Sequence, residues 1–211
     1  MLDVSRLPLF MLSALGLLLI PGPAVLYIVT RSIHQGRRAG IVSVMGVHVG
    51  TMFHIGAAVL GLSAILLSSA LAFDIIKYLG AAYLIYIGVR TLMTPEQTVA
   101  EKKVETSSLR RIFSQGVIVN VLNPKTALFF FAFLPQFVDT ARGSAGLQML
   151  LLGCLFVGLG LITDGSYAML AGTFGGWLKH SKGFARVQRY VAGTIYIGLG
   201  VTAALTGTRE S

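Results

Sequence analysis

Charge is scarce in this sequence. Asp, Glu, Lys and Arg make up 12% of its 211 residues, against 55% hydrophobic, and soluble domains carry about twice that charge. The mean hydropathy is +0.78. There is too little polar surface to cover a water-soluble body of this size, so most of the chain must lie in lipid. Acidic residues are scarcer still, eight against 17 basic, and only Asp164 falls well inside an apolar run. The one cysteine, Cys154, excludes an intrachain disulfide and a cysteine-pair redox relay. Strict apolar–polar alternation is missing and the apolar runs are too long for strands, which excludes an outer-membrane barrel. No Gly-rich phosphate loop, HExxH helix or nucleophile elbow occurs. No nucleophile and base gather at one depth, so a membrane-embedded enzyme has nothing to work with, and nothing calls for a cofactor.

What is present is a series of apolar runs of the length that crosses a bilayer as a helix, about 20 residues each. They predict an all-α polytopic membrane protein of six spans, at residues 7–30, 41–67, 73–92, 112–138, 147–170 and 191–206. The first run continues past Pro21 and lacks a cleavage site, so it reads as a retained span and not a removed signal peptide. Residues 94–111 form the one polar stretch of any length and read as a linker outside the membrane. In the second span Gly46 and Gly50 stand four apart, a spacing that lets another helix approach closely.

The net charge is +9, but the basic residues sit in short loops, which fits span orientation and anionic lipid better than nucleic acid. Arg31, Arg37, Arg38, Arg90, Lys102, Lys103, Arg110, Arg111, Lys179, Lys182, Arg186 and Arg189 fall on one side; Arg6, Lys77, Arg142 and Arg209 fall on the other. By the positive-inside rule the first set is cytoplasmic, and both termini then face outward. Lys125 belongs to neither set.

Two spans are interrupted. Pro21-Gly22-Pro23 lies two thirds of the way along the first, and Asn123-Pro124-Lys125 lies in the middle of the fourth. Proline removes a backbone donor and clashes one turn back, so both helices should break there. A lysine at that depth costs about 2.5–3.5 kcal/mol on insertion scales, and such residues usually face a bundle interior or a water-filled cavity. A half-helix starting near Pro124 offers unpaired N–H groups and partial positive charge, which favour a carboxylate. Lys125 adds a full charge, Asn123 can donate and accept, and Gly22 lets a ligand approach the first break. Asp164 pairs with Lys125, carries a coupling proton or meets a substrate amine. His48 reads as a polar cavity group. The alternative is that the breaks only shape the bundle. Met45, His48 and Met52 share a helical face, a weak soft-metal signal, whereas His54 lies on a different face from His48.

The halves also resemble each other. Residues 77–88 in the third span match 189–200 in the sixth in their aromatic and glycine pattern, and the two breaks fall at corresponding places. Three spans per half is an odd number, so the second copy must be inverted, with the substrate site near the midplane between the repeats. The expected layout is one transmembrane domain over residues 1–211: repeat one at about 7–93, a cytoplasmic linker at 94–111 and repeat two at about 112–206. The residues leave monomer and homodimer both open.

Leu19-Ile20-Pro21-Gly22-Pro23 and the run from Gly116 through Asn120-Val121-Leu122-Asn123-Pro124-Lys125 into Phe129-Phe130-Phe131 resemble the LysE family of bacterial amino-acid exporters, within it the RhtB (homoserine/threonine) branch. The resemblance covers almost the whole chain. It implies an inner-membrane exporter of small amino acids driven by proton antiport. Its proline-motif residues carry over to Pro21, Gly22, Pro23, Asn123, Pro124 and Lys125. The position after Pro23, often Asn in the family, is Ala24 here. Rival readings are an exporter of heavy metal or another small metabolite, and a non-transport membrane scaffold.

Overall fold

The structure is a computed structural model. It describes residues 2–62, 70–93 and 106–178, and, between 190 and 205, residues 190, 193, 194, 197, 198, 200, 201, 204 and 205. Every regular element among them is helical: α1 (Leu7–Leu19), α2 (Pro23–Ala57) running into a π-helical turn (Ala58–Leu62), α3 (Ala70–Met93), α4 (Leu109–Val121), α5 (Pro124–Leu128) continuing through π-helical Phe129–Phe133 and 3-10 Leu134–Phe137, a 3-10 turn (Thr140–Arg142), and α6 (Ala145–Leu178). Most of the linker, the basic loop after α6 and much of the sixth predicted span lie outside the described residues.

Both breaks occur where the prolines predict them. α1 stops at Leu19 and α2 starts with Pro23 at its first turn; α4 stops at Val121 and α5 starts with Pro124 at its first turn. Proline is tolerated at that position because its N–H would be unpaired there in any case. α4 and the helix that follows Pro124 are bent by 47° to one another. Each 13-residue helix, α1 or α4, is only about 20 Å long, too short to cross a ~30 Å hydrocarbon core alone.

α2 is not one rod. Gly36 has φ 81° and ψ 176° inside it, a conformation open mainly to glycine. A Cβ on Gly40 would strike the Ser32 hydroxyl, and Ala24 and Ile28 share a buried cluster with Val44 and Val47. A straight helix would hold residues 24 and 47 about 35 Å apart, so the chain doubles back at Gly36 into two antiparallel arms. The sequence reading puts its first loop at this place. Among the described residues two helices are long and apolar enough to cross a membrane, Pro23–Gly61 and Ala145–Phe174, or three if the bent pair around Asn123 counts as one.

The second arm of α2 is the centre of the bundle. Gly46 and Gly50 meet α4 so closely that a Cβ would fall 2.3 Å from the Phe113 carbonyl oxygen and 2.8 Å from that of Val117. Gly116 answers from α4, where a Cβ would come within 3.0 Å of the Ser43 carbonyl oxygen. On the opposite side α6 runs antiparallel, with Gly153 against Ile55, Gly160 against His48 and Gly172 against Arg37. One end of the molecule gathers the Gly36 turn and the start of α4, where the Gln35 amide exchanges two hydrogen bonds with the Ser107 backbone (2.8 and 3.1 Å). The other end gathers the N-terminus and the turn before α6: Asp3 lies 3.5 Å from Arg6 and 3.6 Å from Arg142. The core on this second side is aromatic. Phe10, Phe129, Phe130, Phe133, Phe137 and Phe156 form a continuous ring cluster, tightest at 4.6 Å between Phe129 and Phe156.

Candidate functional site

Each break orphans a carbonyl, and the proline says which one. Pro23 has no N–H for the Leu19 carbonyl four residues back, and Pro124 has none for that of Asn120. A buried carbonyl left so is costly. Tyr167 of α6 donates its hydroxyl to the Leu19 oxygen at 2.9 Å. His54 of α2 lies 2.9 Å from the Asn120 oxygen through Nε2, and the Asn123 N–H donates to the same oxygen at 3.0 Å. The chain is extended at Ile20 and Gly22, so the Ile20 carbonyl also points out of the helix. Lys125 Nζ donates to it. The two breaks are therefore joined directly, and each is served by a helix from the other half of the chain.

Between them lies a cavity of about 30 Å³, room for a water or two and too little for an amino acid. His48, Asn120, Asn123, Lys125 and Asp164 line it, with Gly22, Thr51, Thr126 and apolar residues including Leu17, Val47 and Phe156. Five of the residues expected from sequence thus converge: Gly22, His48, Asn123, Lys125 and Asp164. Pro21, Pro23 and Pro124 shape the breaks but do not line the cavity.

The polar groups divide into bonded and unbonded. Asn120 is fully engaged: its amide donates to the Val47 carbonyl and the Thr51 hydroxyl, both at 2.9 Å, and its oxygen accepts from Thr126 at 3.0 Å and Asn123 at 3.3 Å. Asn123 caps α5 with its own side chain, accepting from the Lys125 N–H at 3.1 Å. Part of the free half-helix terminus expected from sequence is therefore already used. Lys125 and Asp164 share the cavity without pairing directly; Asp164 instead lies against His48, Oδ2 to Nε2 at 3.2 Å, with both side chains almost fully buried. Asp164 Oδ1 and both ring nitrogens of His48 have no hydrogen-bond partner among the described residues, so the 3.2 Å contact is a close approach of the two groups without hydrogen-bond geometry.

One expectation changes, and four site residues escape the sequence reading. Met45 and Met52 are exposed while His48 is buried, so the three do not converge and the soft-metal face dissolves. His54, set apart from His48 by helical phase, is buried as well, because the second arm is packed by α4 on one side and α6 on another. Asn120, Thr51, Thr126 and Tyr167 are missed. Asn120 carried a signal, a lone amide one turn before a proline in an apolar run; the other three carry none that spacing reveals.

An apolar helical bundle with a buried polar cavity between two proline-broken helices defines a helical membrane protein built around an internal site. Residues 15–207 match the family described as LysE type translocator, and the chain belongs to that family. It is a translocator and not an enzyme. It is 31% identical to the uncharacterized membrane protein YrhP of Bacillus subtilis (90% of this chain, 94% of that protein). It is 30% identical to a homoserine/homoserine lactone efflux protein of Salmonella typhimurium (92% and 94%), and 28% identical to an uncharacterized membrane protein of Vibrio cholerae (96% and 98%). No solved structure matches the chain.

Proposed function

We propose that the chain exports a small amino acid across the bacterial inner membrane by proton-coupled alternating access. The observation that carries this reading is the joined pair of breaks around a buried, charged cavity: Lys125 from one break holds the Ile20 carbonyl of the other, with Asp164 and His48 alongside. An ammonium group has three donors, so Lys125 keeps two for a substrate carboxylate. Asp164 takes the substrate amine or a proton. The Salmonella relative's name supports the substrate class: homoserine and its lactone share an amine, and only the first has a free carboxylate.

Six spans in two inverted repeats, with helices one and four broken, form the architecture of this proposal. The mutual service of the breaks supports it, since α6 tends the first and α2 the second. The antiparallel packing of α3 on the last segment supports it too: Gly88 meets Ile197 while Gly200 meets Ile85. Arg31, Arg37, Arg38, Arg110 and Arg111 mark the cytoplasmic end in this reading, and both termini lie outside. Export of heavy metal or of another metabolite, and a scaffold role, are the readings it competes with.

Counterflow in proteoliposomes tests it. Vesicles loaded with unlabelled amino acids should take up labelled substrate saturably, faster than empty ones, and Lys125→Ala should abolish the exchange while remaining inserted. Normal exchange by that variant would sink the role of Lys125. No exchange across the panel, in folded protein, would move the reading to other metabolites.

A further inference from the structure

We infer that Asp164 and His48 form a single exchange site at which a substrate ammonium and a proton are alternative occupants. The inference rests on the export reading and names where its coupling resides. Among the described residues Asp164 is the only acidic side chain lining the cavity. One of its oxygens faces His48 at 3.2 Å and the other has no hydrogen-bond partner among the described residues. Asn120, Asn123, Thr51, Thr126 and Lys125 are each bonded within the protein. Besides the two remaining donors of Lys125, the buried cavity groups still open to a ligand are the carboxylate and the imidazole. A buried carboxylate needs a cation or a proton, and imidazole is the side chain that gains and loses a proton in the physiological range.

The groups around the pair limit the charge it can hold. Lys125 comes from α5, Tyr167 from α6 with its hydroxyl on Leu19, and His54 from α2 with its ring nitrogen at Asn120. α1 brings only Leu17 and Leu18 to the cavity. In the proton-occupied stage Lys125 and the His48 imidazolium face one carboxylate, and a substrate ammonium would add a third cation in a low-dielectric space. The imidazolium must then give up its proton. The N–H bond on the nitrogen facing Asp164 breaks, its electron pair stays on nitrogen, and the proton passes to water on the inner side. The substrate ammonium donates to the carboxylate in its place. On the outer side the ammonium leaves and a proton from water adds to the same nitrogen. One proton enters for each ammonium exported, and the charge in the cavity is the same at both stages.

The test is proton release on binding, read with a pH dye and detergent-purified full-length protein in weak buffer. The probes are homoserine, homoserine lactone (ammonium without carboxylate) and 2,4-dihydroxybutyrate (carboxylate without ammonium). Homoserine and the lactone should each release about one proton per molecule bound, and the hydroxy acid none. In His48→Gln the release per bound homoserine should fall at least tenfold. Binding of homoserine without release in the unaltered protein overturns the inference and leaves export standing, as does full release by His48→Gln, which would seat the proton on Asp164 alone. Should His48→Gln not bind, the three-probe comparison in the unaltered protein decides by itself. Failure of all three probes to bind would overturn the export reading and the inference built on it.

Discussion

Replacing Gly160 by alanine offers a sharp test of the cavity. A Cβ there would sit 2.4 Å from His48 Cε1, 3.1 Å from Nε2 and 3.3 Å from Leu18 Cδ2. Carbon atoms rest at about 3.5–4.0 Å, so the imidazole must retreat by about 1 Å. Gly160 lies one helical turn before Asp164 on the same face of α6, and the retreat carries the ring away from that helix. The 3.2 Å approach of Nε2 to Asp164 would open to about 4 Å, weakening the contact between the two groups. Overpacking costs about 1–3 kcal/mol, and alanine returns about 1 kcal/mol of helix propensity. The net expectation is a loss of about 0–2 kcal/mol. Gly158 and Gly165 lie on the same helix with open space at the Cβ position, and alanine at either should stabilise by about 0.5–1 kcal/mol. Thermal unfolding in detergent should therefore rank Gly160→Ala below the unaltered protein and both controls above it. Homoserine exchange should fall in Gly160→Ala alone. A Gly160→Ala protein as stable as the two controls, with exchange intact, would mean that the imidazole is not where the structure has it, and the site would need rebuilding.

Two further substitutions probe the breaks. Tyr167→Phe removes the donor to the Leu19 carbonyl and should cost about 0.5–1.5 kcal/mol, the net worth of one hydrogen bond; Tyr86→Phe, at an exposed ring, should stay within about 0.5 kcal/mol, and equal melting of the two would deny the carbonyl its role. Asn120→Leu deletes four hydrogen bonds of about 0.5–1.5 kcal/mol each. It should lower stability by about 2–6 kcal/mol and abolish exchange; a loss under about 1 kcal/mol would show that this amide does not hold α4 to α2.

What the sequence discloses here is what depends on one residue's own backbone. The breaks at Pro21–Pro23 and Asn123–Lys125 were legible because a missing N–H is a local fact. So was the close approach at Gly46 and Gly50, where the absence of a side chain leaves room for α4. Asp164 stood out as a carboxylate in an apolar run. Partnership was not legible. That Asp164 meets His48 while Lys125 goes to Ile20 depends on how three helices cross, and no spacing encodes it. Tyr167 was hidden for the same reason: its partner lies 148 residues earlier. Met45 and Met52 were grouped with His48 by helical phase, and phase alone does not say which face lies outward.

The orphaned carbonyls at the first break also bear on how the protein is made. Ile20 is satisfied by a residue 105 positions later, and Leu19 by one 148 positions later. At about 5–20 residues per second of synthesis, the second partner leaves the ribosome about 7–30 s after the first break. Until Lys125 emerges the amino-terminal half has two backbone acceptors with no permanent donor, and from then until Tyr167 it has one, in a medium that supplies none. A nascent chain cut short before Tyr167 would keep that defect, so the membrane's quality-control proteases would find truncated copies marked at the place where the finished protein is clasped.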